Sequence, residues 1–126
     1  MKRLWLAFGL LLAMLAASLW NACRLDRFTA DLSASLLRAE SMAFAGQEEQ
    51  AGALTAQARS GWMEHRTYLH VVLRHSDTDE IQTGFDEALR LLSCGELGEY
   101  AAANARLTGR LRLVAEAEQL TLENLF

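Results

Sequence analysis

The sequence has no proline, two cysteines, one isoleucine and three valines among 126 residues. Without proline, no residue removes a backbone donor and clashes with the preceding helical turn, so long helices can run uninterrupted. Strands favour β-branched residues, and their scarcity beside 24 Leu and 21 Ala excludes an all-β sandwich or barrel. Two cysteines cannot staple a small disulfide scaffold. Excess positive charge is also missing. The net charge is −4 and the basic residues are scattered, which speaks against nucleic acid as a partner.

Residues 4 to 23 carry no charge at all. As a helix this run rises ~30 Å, about the thickness of a hydrocarbon core. Trp5 and Trp20 stand near its two ends, where indole rings favour the membrane–water interface. Lys2 and Arg3 precede the run, and Arg24 and Arg27 follow it, interleaved with Asp26 and Asp31. Counting basic residues and the terminal amine, the positive-inside bias puts the N-terminus in the cytoplasm and the remainder outside. Three other readings compete. A cleaved signal peptide needs only ~7–15 apolar residues and a small-residue site, for which Ala16-Ala17-Ser18 is the nearest match. A lipoprotein signal would modify Cys23, but Trp20-Asn21-Ala22 is a poor lead-in. A buried core helix seldom pairs such a run with a basic chain start. A retained anchor over residues 1–23, in contact with membrane lipid, is the expectation.

Beyond the anchor, ten Arg stand against sixteen Asp plus Glu, leaving residues 24–126 at −6. Such a domain should stand off anionic headgroups. Its apolar residues recur in steps of three and four, the period of a helix with one buried face. Leu25, Phe28, Leu32, Leu36, Ala39 and Met42 continue the anchor helix as far as the turn Ala45-Gly46-Gln47. Ala51, Leu54, Ala58, Trp62, His65, Leu69 and Val72 form a second stripe, ending near Arg74-His75. Ser76 and Asp79 have capping-box spacing and open a third helix with Ile81, Phe85, Ala88 and Leu92, closed by Cys94-Gly95. Leu97, Tyr100, Asn104, Leu107, Leu111 and Val114 make the fourth, with Ala103 expected to face solvent. Short connections predict an antiparallel four-helix bundle over residues 24–119. A shift of 49 places Ala39, Gly46, Ala53 and Ala56 on Ala88, Gly95, Ala102 and Ala105. Ala-rich chains also produce such matches by chance, so duplication stays open.

No catalytic constellation is visible: no phosphate-binding glycine loop, no Gly-x-Ser-x-Gly elbow, no Cys-x-x-Cys. His65, His70 and His75 are five apart; five residues turn a helix by ~140°, so the three imidazoles diverge and share no metal. No cofactor, metal or catalytic residue is expected, and the chain does not read as an enzyme. His75 and Asp79 are four apart, which suits either a side-chain pair or acids favoured at a helix start. His65 and Asn104 interrupt apolar stripes and read as hydrogen-bonded core groups. Down parallel helices, His65 lies ~13 Å deeper than Asn104, too far for direct pairing. Trp62 is either a core residue or a recognition anchor. Cys94 reads as incidental, and a disulfide to Cys23 would tie the bundle to its own stem.

The chain resembles domain-of-unknown-function family 4363, small single-anchor proteins of Gram-positive endospore formers. The matching features are the uncharged N-terminal span, Trp62, the run Leu69 to His75 followed by Asp79-Glu80-Ile81, and the ending Leu120-Thr-Leu-Glu-Asn124-Leu-Phe126. The sequence departs from that pattern in being rich in Ala and Arg. The resemblance implies a membrane-anchored helical protein encoded beside multi-span membrane proteins. The partner-binding candidates, Trp62, His75, Asp79, Leu122, Asn124 and Phe126, lie within the matching segments. The apolar tail, residues 120–126, should dock on its own bundle or in a partner's groove, since burying one Leu or Phe is worth ~1.5–3 kcal/mol. The expected function is a protein-interaction module of the cell envelope. The second reading is an accessory subunit held through its transmembrane helix.

Overall fold

The computed structural model describes residues 1–65 and 75–125, apart from the side chains of His75, Glu118 and residues 121–125. The described residues form four helices and no strand: α1 (Lys2–Phe44), α2 (Glu48–Glu64), α3 (His75–Ser93) and α4 (Leu97–Leu125). Around the group, α1 packs on α2 and α4, and α3 also packs on α2 and α4.

The first helix runs unbroken for 43 residues because nothing in it stops a helix until Gly46. Gly46 adopts φ +85° and Gly95 φ +75°, a backbone that costs glycine little and other residues more. At the first turn the amide of Gln47 donates to the Met42 carbonyl and that of Gly46 to Ala43. At the second, Glu96 donates to Leu91 and Gly95 to Leu92. Both are Schellman closures, which satisfy carbonyls a helix end leaves orphaned. The two turns differ by the same shift of 49 that superimposes the sequence. The shift also maps buried Thr29, Leu32, Leu36 and Ala39 onto buried Thr78, Ile81, Phe85 and Ala88.

The core has two parts. Nearer the apolar N-terminal stretch of α1, Leu25, Leu32, Leu36, Ala58, Trp62, Ile81, Phe85, Leu107, Leu111 and Val114 pack together. Toward the glycine turns the core is built from Ala39, Ala43, Ala51, Ala88, Leu92, Tyr100 and Ala103.

Several expectations are corrected here. Ala103 is buried in the alanine-rich part, 2% exposed, and does not face solvent. A helix in a bundle covers adjacent positions on its inner face, so 103 is buried along with 104. The second helix ends at Glu64, with His65 as its cap, although its apolar stripe suggested a longer run. Leu69 and Val72 lie outside the described residues. The third helix already includes His75, so Ser76 lies in its first turn and is not the N-cap. Helix α4 continues to Leu125, so the backbone of residues 120–125, the apolar tail, is helical.

Candidate membrane and partner surfaces

Burial divides α1 into two stretches. Leu25, Leu32, Leu36 and Ala39 are buried in the helix group, and Ala22 marks where burial begins. Before it, most side chains are exposed: Leu4 is 77% exposed, Trp5 73% and Trp20 72%. By length and composition α1 is the one helix among the described residues able to cross a membrane. At the C-terminal end of the apolar stretch the exposed face of α1 forms a concavity lined by Ala16, Leu19, Trp20, Cys23, Arg24 and Arg27. Sequence reading treated these arginines only as topology markers. Their places four and seven residues after Trp20 were the signal that they share its face.

Of the partner candidates, Trp62 and Asp79 have side chains among the described residues. Trp62 is 1% exposed in the larger core cluster, and its ring stacks near Phe28 at a centroid distance of 6.2 Å. Its role is packing, and a partner cannot reach it without unfolding the core. Asp79 is exposed in the first turns of α3, and the His75 backbone is helical one turn earlier. The His75 side chain lies outside the described residues, so the expected pair between them does too. Leu122 and Asn124 belong to α4 by backbone, their side chains lying outside the described residues, as does Phe126 altogether. His70 also lies outside them. Cys23 and Cys94 are both free and exposed.

The polar groups of the interior were only partly anticipated. His65 is half-buried, with Nδ1 2.9 Å from the Gly61 carbonyl and its ring 4.4 Å from that of Phe28. Asn104 is buried, and Nδ2 donates to the Leu36 carbonyl at 3.2 Å. The two do not pair with each other, as the register argument expected. Buried Thr55 was missed. Its hydroxyl lies 2.8 Å from the Ala51 carbonyl and 2.6 Å from the Tyr100 hydroxyl. The signal was its helical spacing, four from Ala51 and seven from Trp62.

Ion pairs lace the outer surface of α3 to both neighbours. Arg59 of α2 donates to Asp86 at 2.7 Å, Arg106 of α4 to Glu87 at 3.1 Å, and Arg110 to Glu80. All six side chains are at least a third exposed, so each pair adds little beyond ~1 kcal/mol. Among the described residues no group of three His, Cys, Asp or Glu is placed to hold a metal ion. No family model, curated protein or solved structure matches the chain.

Proposed function

We propose that the chain is a single-pass membrane protein whose helical domain binds another protein of the membrane or envelope, without catalysing a reaction. In this reading the first part of α1 is a retained anchor, with the N-terminus cytoplasmic. The four helices form an antiparallel bundle outside, and kinship with family 4363 belongs to the same proposal. The observation that supports it is the contrast along α1: one continuous helix is largely exposed over the apolar run and buried on one face beyond it. Ten or more exposed large apolar side chains in water would be strongly unfavourable, at ~1.5–3 kcal/mol each. In hydrocarbon the same side chains are at home.

The antiparallel arrangement is supported by the side-chain contacts. Residue 80 meets 110, and 87 meets 106, so one helix is read backwards against the other. On the domain itself, Leu37 and Phe44 of α1 and Leu113 and Leu120 of α4 are more than half exposed, each pair seven residues apart. That spacing aligns them along one helix face, as a partner surface requires. Asp79 is an accessible polar group; His75, Leu122, Asn124 and Phe126 remain candidates from the sequence alone.

The second reading is an accessory subunit held by its span to a multi-span protein. It is favoured by the anchor being exposed over most of its surface, with Ala22 its one buried residue. Crosslinking in native membranes, followed by mass spectrometry, identifies the partner. Replacing residues 4–23 with an unrelated span then separates the readings: a domain binder keeps its crosslinks, and an accessory subunit loses them. A wild-type chain that yields no crosslinked protein contradicts both.

A further inference from the structure

We propose that Trp20, Arg24 and Arg27 form a binding site for the phosphate group of an outer-leaflet phospholipid, a reading that rests on α1 crossing the membrane. Three observations meet at this place. The first is chemical order along one helix face. The concavity is lined by Ala16 and Leu19, then Trp20, then Arg24 and Arg27, which follows a lipid from acyl chain through interface to phosphate. Indole prefers that interface, and the guanidinium fork matches phosphate geometry.

The second is depth. Counted from Cys23, the last uncharged residue, Arg24 and Arg27 stand ~1.5 and ~6 Å further along the helix axis. The headgroup layer adds ~5–7 Å on each side of the hydrocarbon core, so both guanidinium groups fall within it. Residues three apart on a helix have Cβ atoms ~5–6 Å apart, close enough for both to reach one phosphate.

The third is that neither cation has an ion-pair partner among the described residues. Arg59, Arg106 and Arg110 are each paired with a carboxylate, but among the described residues Arg24 and Arg27 make no ion pair. Asp26, between them in sequence, lines the groove on the α1–α4 side with Thr29 and Ala30. Two arginines outside a span also run against the positive-inside bias, so they need a role other than orientation. The negative charge of the whole domain does not oppose this contact. Exposed charges further than ~8 Å away are largely screened at physiological ionic strength.

The test uses the full-length chain in nanodiscs made of equal parts phosphatidylcholine and phosphatidylglycerol, with retained lipid counted by native mass spectrometry. One phospholipid should stay with the wild type. Retention should fall at least ~tenfold in Arg24→Gln/Arg27→Gln, because charge-assisted forks are among the stronger hydrogen bonds. Arg24→Lys/Arg27→Lys, which keeps charge but loses the forks, should fall in between. Unchanged retention in the Gln variant, still inserted in its disc, overturns the site and leaves the anchor standing. Equal retention of a phosphate-free glucosyl diacylglycerol also overturns it. Displacement of the lipid by inorganic phosphate would make this a free-anion site and overturn the lipid assignment. A wild-type chain that does not enter discs overturns the anchor, and the site with it.

Discussion

The side-chain amide of Asn104 on α4 reaches the backbone carbonyl of Leu36 on α1, while its Oδ1 is buried with no partner among the described residues. The contact joins residues 68 apart in sequence and fixes the two helices at one register. It is also a compromise, because a satisfied donor shares its side chain with an orphaned acceptor. A net hydrogen bond contributes ~0.5–1.5 kcal/mol, whereas an unsatisfied buried polar group costs ~1–3. Asn104→Leu should therefore raise stability by ~1 kcal/mol, read from chemical unfolding of the full chain in detergent. Asn104→Asp should lower it by ~3 kcal/mol or more, since it buries a carboxylate with no cation beside it. A Leu variant less stable than wild type would mean that the register bond outweighs the orphan.

Thr55 and Tyr100 should respond unequally to loss of their shared hydrogen bond. Tyr100→Phe leaves the Thr55 hydroxyl still bonded to the Ala51 carbonyl, so the expected loss is ~1 kcal/mol. Thr55→Val leaves the Tyr100 hydroxyl buried and unpaired, at ~1–3 kcal/mol. The double variant should be less destabilised than the sum, because neither polar group then remains to be satisfied. Equal and additive losses in a denaturation series would show that packing, and not the hydroxyl pair, governs these positions.

How far the fold was legible follows from what each feature depends on. Stripes such as Ile81, Phe85, Ala88 and Leu92 depend only on helical period, and all four are buried. Gly46 and Gly95 were legible because a left-handed closure calls for that residue. Thr29, Thr55 and Thr78 escaped notice because a polar residue on an apolar face looks like a gap, yet a threonine hydroxyl can bond its own helix, as Thr55 does. Trp62 was readable as core from its stripe, but nothing in sequence distinguishes that from an exposed anchor until its neighbours are known. Contacts such as Arg59 with Asp86 depend on the register between helices, which the period of a single helix does not contain.

Gly84 and Leu107 form a size-matched pair. A Cβ built at Gly84 would lie 2.9 Å from Leu107 Cδ1, and Leu107 is itself 1% exposed, with little room to move. The equivalent positions 49 earlier hold Ser35 and Ala58, a larger residue matched to a smaller one. Gly84→Ala gains ~1 kcal/mol of helix propensity but meets an overpacking cost of ~1–3 kcal/mol, so a net loss is expected. Leu107→Ala alone should cost ~2–5 kcal/mol. In that background the clash is gone, and Gly84→Ala should become stabilising by about its propensity gain. Absence of this change of sign in thermal unfolding would mean that the two residues do not constrain each other.

Topology can be read from adjacent positions on α4. Ala102 and Ala105 are exposed and Ala103 is buried, so one helical turn contains both the probe and its control. Each is replaced by cysteine in a chain where the exposed Cys23 and Cys94 have been changed to serine. An exposed thiol with an ordinary pKa of ~8.5 reacts readily as its thiolate. With the domain outside the cell, a membrane-impermeant maleimide should label Ala102→Cys and Ala105→Cys in intact cells. Ala103→Cys should label only after denaturation, because its place in the alanine-rich core excludes the reagent. Labelling of the outer pair only after lysis would reverse the orientation, and extraction of the chain by alkaline carbonate would remove the anchor. If position 103 labels as fast as 102, the close packing of α4 against its neighbours is wrong, and the register on which the Asn104 bond depends is wrong with it.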